Sequence, residues 1–269
     1  MATSAKQRPT ISDEDLAALL GLMKGADSME LKLTVPASDQ LSAASALDVD
    51  PLDAQIRQVF FYDTPDLRLN NAGLVVRARR VQGKTGDTVV KLRPVIPDQI
   101  PAELRKSPAF GIEVDAMPGG YVCSASLKGA VSNAEPREVA AGARPIRKLF
   151  SKEQRTFYAT HAPEGIGLDD LSVLGPINLF KLRFAPKGFS RRMVAELWMY
   201  PDNSRILELS TKCLPAEAFN VAAEARAFLS GRGIDLSGEQ QTKTKTALEF
   251  FSNQLAATPP AGPASSAAV

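Results

Sequence analysis

Three stretches of this chain each set two cations two residues apart among apolar neighbours. They are Arg77 and Arg79 in Leu74-Val75-Val76-Arg77-Ala78-Arg79, Lys91 and Arg93 in Val89-Val90-Lys91-Leu92-Arg93, and Lys181 and Arg183 in Leu179-Phe180-Lys181-Leu182-Arg183-Phe184. Successive side chains of a β-strand point to opposite faces, so each cation pair shares one face and the apolar residues take the other. Where two such strands pair, like charges come side by side, which is destabilising without counterions between them. The chain is therefore constrained to a sheet with one face built for anions.

Acids share that face. Glu30 and Lys32 alternate with Met29, Leu31 and Leu33; Glu113 and Asp115 alternate with Ile112 and Val114; Glu196 precedes Trp198 by two, and Glu208, Ser210 and Lys212 follow the same rule. An open antiparallel sheet with one packed and one wet face accounts for any single strand of this kind. The recurrence of Arg, Lys and Glu on every strand is better met by a sheet closed on itself, with charges inside and apolar residues outside under helices. The inward set then holds seven cations (Lys32, Arg77, Arg79, Lys91, Arg93, Lys181 and Arg183) and five acids (Glu30, Glu113, Asp115, Glu196 and Glu208). Arg and Lys suit phosphate oxygens, Arg with bidentate geometry. Carboxylates in the same cavity would repel such a ligand unless a hard divalent cation, Mg²⁺ or Mn²⁺, bridges them to it. The chemistry suggested is metal-assisted binding or cleavage of a nucleoside triphosphate or an inorganic polyphosphate.

The whole-chain numbers narrow the partners. A net charge of +2 over 269 residues gives no basic field for nucleic acid, so the positive charge is local. Two cysteines, Cys123 and Cys213, are too few for a disulfide framework or a Cys-based zinc site. The single histidine, His161 in Thr160-His161-Ala162-Pro163, reads as an ordinary surface residue in a turn. The polar first ten residues lead to the expectation of no secretory leader, and no apolar run approaches the roughly 20 residues that span a bilayer. The expected location is cytoplasmic, with no membrane or nucleic-acid partner.

Along the chain, Ser12 caps an expected helix over 11–25 that Gly25 ends. Alternating segments follow near 29–35, 57–63, 73–81, 88–94, 110–116, 152–159, 178–184, 193–200 and 205–213. Turns at Gly83 to Asp87 and at Pro201-Asp202-Asn203-Ser204 make hairpins. Residues 94–108 are Pro-rich and read as a loop or lid. Pro118-Gly119-Gly120 is a break, with a short helix expected near 136–141. Helices are expected at 215–230, before Gly231 and Gly233, and at 237–256. The expectation is one α+β domain over 11–256, between a tail at 1–10 and a disordered tail at 257–269 rich in Ala, Pro and Ser.

Several of these stretches together resemble the CYTH superfamily, the triphosphate tunnel metalloenzymes, which include class IV adenylyl cyclases, thiamine triphosphatases and inorganic triphosphatases. Ser28-Met29-Glu30-Leu31-Lys32 is similar to the family's Glu-x-Glu-x-Lys, and Phe61-Tyr62-Asp63-Thr64-Pro65-Asp66-Leu67-Arg68-Leu69 to its second-strand signature. Arg77 with Arg79, and Lys91 with Arg93, are similar to its basic strands, Glu113 with Asp115 to its acidic strand, and Glu208 to its late Glu-x-Glu. The likeness spans about residues 28 to 250.

The resemblance implies a closed tunnel of eight antiparallel strands. Lys32, Arg77, Arg79, Lys91, Arg93, Lys181 and Arg183 would grip the phosphates. Glu30, Glu196 and Glu208 would hold Mg²⁺ or Mn²⁺, with Asp169 and Asp170 either joining them or serving as a turn or helix cap. Glu113 and Glu30 would serve catalysis by positioning water. Lys243 and Lys245 in Thr242-Lys243-Thr244-Lys245 resemble a C-terminal basic element, and a solvated helix face explains them equally. Trp198 reads as packing rather than a platform for a base.

Two departures from the pattern matter. The first Glu of Glu-x-Glu-x-Lys is Ser28 here, and the partner of Glu208 is Ser210, so two carboxylate ligands are lost while the cations remain. The implied function is binding of a triphosphate or polyphosphate with metal-dependent hydrolysis. The alternatives are a class IV-like adenylate cyclase, releasing cyclic AMP and pyrophosphate, and a catalytically degenerate binding module. A homodimer is left open.

Overall fold

Alternation of apolar and charged residues along successive strands closes the sheet into a barrel. A computed structural model describes residues 12–236, 240 and 243–257. Nine strands take part: β1 (Ser28–Val35), β2 (Gln55–Asp63), β3 (Leu74–Val81), β4 (Gly86–Leu92), β5 (Phe110–Met117), β6 (Gly120–Val131), β7 (Ser172–Phe184), β8 (Met193–Met199) and β9 (Arg205–Cys213). Around the barrel they run β1-β5-β6-β4-β3-β2-β7-β8-β9, and β9 pairs with β1 to close it. All neighbours are antiparallel except β1 and β5, which are parallel.

The barrel corrects the expected eight antiparallel strands to nine in a mixed sheet. The strand missed in the sequence is β6, where Cys123, Ala125 and Leu127 face the apolar side and Ser124, Ser126 and Lys128 the other. Its small residues give little hydrophobic contrast. Conversely, the strand expected at 152–159 is a helix. Ser151 accepts from the Gln154 amide while the Gln154 side chain accepts from the Ser151 amide, and this capping box starts a helix that buries Gln154, Phe157 and Tyr158 on one face. His161 is the last residue of that helix rather than a turn residue, with Nδ1 2.8 Å from the Phe157 carbonyl.

The helices are α1 (Asp13–Gly25), α2 (Gln40–Ala46), α3 (Arg68–Asn71), α4 (Ala102–Arg105), α5 (Glu135–Ala140), α6 (Lys152–His161), α7 (Ala218–Gly231) and α8 (Lys243–Ala257). Ser12 caps α1 by accepting from the Asp15 amide. The Pro-rich stretch after β4 is a loop that carries α4. The expected tails at 1–10 and 257–269, and the start of the last helix at 237–242, fall largely outside the described residues.

Apolar strand faces pack outward. Met29, Leu33, Ile112, Val114 and Leu209 lie in one buried cluster with Leu19 and Met23 of α1 and Val221 and Leu229 of α7. Phe60, Tyr62, Val76, Val90 and Leu127 lie in another with Val139 of α5 and Phe157 and Tyr158 of α6. The third cluster is inside: Ala247, Leu248 and Phe251 of α8 join Phe61, Val75 and Trp198 from the inward strand faces. Thus α8 seats on one end of the barrel and holds Lys243 next to its interior.

The Asp63-to-Leu69 motif turns out to build this frame rather than the cavity. Asp63, 1% exposed, accepts from the backbone amides of Thr64, Leu69 and Asn70 and so caps α3, with Leu67 in the left-handed region at φ 58°.

Candidate functional site

The polar faces of the strands enclose a cavity of about 590 Å³. Its wall includes all seven cations and all five acids read from the sequence. Asp169 and Asp170 are not part of it: Asp169 pairs with Arg147 and Asp170 accepts from the Gly167 amide at 2.7 Å, both in a turn on the outside. Of the two C-terminal lysines, Lys243 reaches the cavity, whereas Lys245 is exposed and pairs with Glu249 at 3.7 Å.

Register decides which charges meet. On β3 and β4, Arg79 lies opposite Asp87, Arg77 opposite Val89, and Val75 opposite Lys91. The expected clash of like charges is thereby avoided, because each cation faces an apolar residue or an acid. Arg79 makes a bidentate pair with Asp87.

Acids do meet directly, Glu30 opposite Asp115 and Glu196 opposite Glu208. Each of these couples is bridged by one lysine. Lys32 lies 3.3 Å from Glu30 and 2.9 Å from Asp115. Lys243 lies 2.5 Å from Glu196 and 2.7 Å from Glu208. Lys181 also pairs with Glu196, at 2.6 Å, and Trp198 donates to Glu196 from Nε1 at 3.3 Å while stacking on Phe61. Trp198 is 3% exposed, in keeping with packing.

The bridges set the charge states. Burial opposes ionisation of Glu196, but Lys243 and Lys181 outweigh it and hold the carboxyl well below its ordinary value. Lys243 is correspondingly raised by Glu196 and Glu208 against the cost of burial. Burial wins at Lys181, whose pKa falls despite Glu196, because Arg57 and Arg183 press on it as well. Burial works against Asp115, yet Lys91 and Lys32 bring it down to about 2. Lys32 is raised because it serves two carboxylates, whereas Lys91, 3.5 Å from Asp115 alone, is lowered by burial.

The remaining arginines differ. Arg77, Arg93 and Arg183 make no side-chain hydrogen bond or ion pair among the described residues, and Arg77 Nε is both buried and unpartnered. Burial, with Arg79 nearby, lowers Arg77 to about 10, which leaves it charged at neutral pH. A buried cation without a partner is costly, and nothing among the described residues offsets this one.

One oxygen each from Glu30, Glu113 and Asp115 lies within 4.8 Å of the other two. Three carboxylates are the hard oxygen donors that Mg²⁺ or Mn²⁺ takes, so this group fits a divalent cation. The set shares Glu30 with the Glu30, Glu196 and Glu208 expected from sequence; Glu196 and Glu208 are bridged by Lys243, as Glu30 and Asp115 are by Lys32. Ser28 and Ser210 remain beside the cluster: Ser28 donates to Glu113 at 3.3 Å and Ser210 to Glu30 at 3.0 Å.

Sequence reasoning passed over Arg57 and Lys128, both in the wall. Arg57 stands two residues before Val59 on β2 and so shares its inward face, and that parity was the available signal. Lys128 lay on the unrecognised β6.

No protein-family model matches the chain, and no curated protein sequence does. Solved structures do. A candidate adenylate cyclase from Bacillus halodurans superposes with a TM-score of 0.56 at 13% identity, over 81% of this chain and 98% of that one. A candidate adenylyl cyclase from Hippeastrum with a dominant triphosphatase activity superposes with a TM-score of 0.60 at 17% identity, over 82% of this chain and 95% of that one. This chain has the fold of both.

Proposed function

We propose that the barrel binds a triphosphate or polyphosphate and hydrolyses it with the help of Mg²⁺ or Mn²⁺. The observation that carries this reading is the wall of unpartnered guanidiniums, Arg77, Arg93 and Arg183, facing into the same cavity as a separate carboxylate cluster. In this reading Arg77, Arg79, Lys91, Arg93, Lys181 and Arg183 hold phosphoryl oxygens and neutralise charge that develops on them. Glu30, Glu113 and Asp115 would hold the cation, which when bound would supply Lewis-acid polarisation of a phosphoryl oxygen. Lys32 keeps Glu30 and Asp115 ionised, and Glu113 or Glu30 orients a water toward phosphorus. The triphosphatase activity of the Hippeastrum neighbour supports hydrolysis as the class of reaction.

A second reading, binding without turnover, is favoured by Ser28 and Ser210, which supply hydroxyls where two more carboxylates would strengthen a metal site. Release of orthophosphate and pyrophosphate from inorganic triphosphate, ATP and thiamine triphosphate, with Mg²⁺ or Mn²⁺ and an Arg77→Ala control, separates these cases. Orthophosphate lost in the control establishes a triphosphatase. Pyrophosphate with cyclic AMP from ATP replaces that reading by a cyclase. No product, together with a triphosphate-induced rise in melting temperature that Arg77→Ala abolishes, establishes a binder.

A further inference from the structure

We infer that Lys212 is a tethered, displaceable cation that holds the Glu113 end of the carboxylate cluster and must swing away for a divalent ion to bind there. The inference deepens the proposal above and rests on its assignment of Glu30, Glu113 and Asp115 to the metal.

Three lysines attend these three carboxylates, and they are not equivalent. Lys32 and Lys91 have side chains only 18% and 20% exposed and converge on Asp115, itself 3% exposed. Moving either would leave a buried carboxylate short of charge, which is costly. Lys212 pairs with Glu113 alone, and its side chain is 54% exposed. Its ammonium can return to water with its stem still lying along the barrel mouth, so leaving costs little.

Register explains the reach. Lys212 lies opposite Glu30 on β1, and Ser28 of β1 lies opposite Glu113 on β5. The ammonium therefore crosses above the small Ser28 to arrive at Glu113 Oε2, the same oxygen that accepts from Ser28. A larger side chain at position 28 would stand in that path. Position 28 is thus where loss of a carboxylate and access for an ammonium coincide.

An ammonium and a divalent ion compete for the same oxygen, and with both in place their charges repel. Metal affinity is then set by the displacement of Lys212, and the cluster is already neutralised when no metal is present.

The test is titration of the full-length protein with Mn²⁺ alone, followed by calorimetry and by the paramagnetic resonance of free Mn²⁺, with a thermal melt of each variant to establish folding. Lys212→Met is expected to tighten Mn²⁺ binding on the order of tenfold, the scale of one unit charge a few ångströms from the ion in a partly solvated site. Lys212→Arg, which keeps the charge, is expected to bind as wild type does. Lys128→Met removes an equal charge from the cavity wall, where Lys128 touches no carboxylate among the described residues, and is expected to leave the affinity unchanged.

Tighter binding confined to Lys212→Met supports the inference. No tightening in that variant overturns it, and so does an equal tightening in Lys128→Met, which would mean a general field effect. If no variant binds Mn²⁺ the inference also fails. Metal-free titration of the same proteins with inorganic triphosphate then shows separately whether the anion reading survives.

Discussion

The barrel wall divides into two arcs. Strands β8, β9, β1 and β5 are contiguous and carry Glu196, Glu208, Glu30, Glu113 and Asp115. Strands β4, β3, β2 and β7, contiguous on the other side, carry Lys91, Arg77, Arg79, Arg57, Lys181 and Arg183, with Arg93 just beyond β4. On the acid arc every carboxylate is matched: Lys32, Lys212 and Lys243 arrive on or beside those same strands and close each couple internally. On the cationic arc Asp87 takes Arg79 and Glu196 reaches across to Lys181, and Arg77, Arg93 and Arg183 have no partner among the described residues. Both arcs are dense in charge, but only one is self-satisfied. The acid arc contributes to stability as it stands, whereas the cationic arc holds a deficit, the one that the proposed polyanion would fill. Charge density alone does not mark a binding surface; unmatched charge does.

The sharpest way to break this comparison is to remove one charge from each arc. Glu196→Gln takes the shared partner from Lys243 and Lys181, whose side chains are 12% and 14% exposed. Stripping a buried pair of one member costs about 3 kcal/mol. Urea unfolding should show a loss of that size. Arg77→Met does the reverse, removing a buried guanidinium that nothing among the described residues pairs, so the melting temperature of the free protein should rise. Triphosphate affinity should meanwhile fall about a hundredfold, the worth of a charge-assisted bidentate contact of roughly 3 kcal/mol. An Arg77→Met protein less stable than wild type would place Arg77 in the scaffold and erase the distinction between the arcs.

The division into arcs could not be read along the chain, although most of its members could. Parity on a strand is local, so Arg77 with Arg79, Lys91 with Arg93, and Glu113 with Asp115 were legible as inward residues from spacing alone. Which acid faces which base depends on register, and register depends on how nine strands close. The pairing of Glu196 and Glu208 with Lys243, which enters between them from a helix after the last strand, is of that kind. Two elements were misread for the same local reason. The alternation in β6 is carried by Cys, Ala and Ser, whose contrast is faint, and at 152–159 the apolar residues Phe157, Tyr158 and Ala159 form one short run that does not tell strand from helix until the Ser151–Gln154 capping box is weighed. The motif at Asp63 was legible as a signature, but its physical work is capping α3.

A smaller effect sharpens the acid arc through pH. Asp115 gives up its proton more readily in the folded chain, at about 2 rather than its ordinary 3.8, because Lys91 and Lys32 outweigh the cost of burial. The stabilisation from its ionised form is therefore complete above about pH 4 and drains away as pH falls toward 2. On the order of 2 kcal/mol is at stake. Asp115→Asn should lie below wild type in stability at pH 7 and converge with it as the pH approaches 2. Curves that stay parallel down to that pH would mean that the lysines do not hold the carboxylate in solution.

The smallest expected effect sets the boundary of the site. Lys243 and Lys245 are two residues apart on one helix, so the helical turn aims them in different directions. Lys243 Nζ is enclosed by two carboxylates and the Trp198 ring, 5.2 Å from its centroid, whereas the Lys245 side chain is 64% exposed beside Glu249, also exposed. A solvated i,i+4 pair of that kind is worth less than about 0.5 kcal/mol. Lys245→Ala should leave urea unfolding and triphosphate binding within error of wild type, whereas Lys243→Ala strands Glu196 and Glu208 against each other and destabilises the fold. A loss of triphosphate affinity in Lys245→Ala would extend the anion surface beyond the barrel mouth onto α8, and the unmatched charge that defines the site would then no longer be confined to the cationic arc.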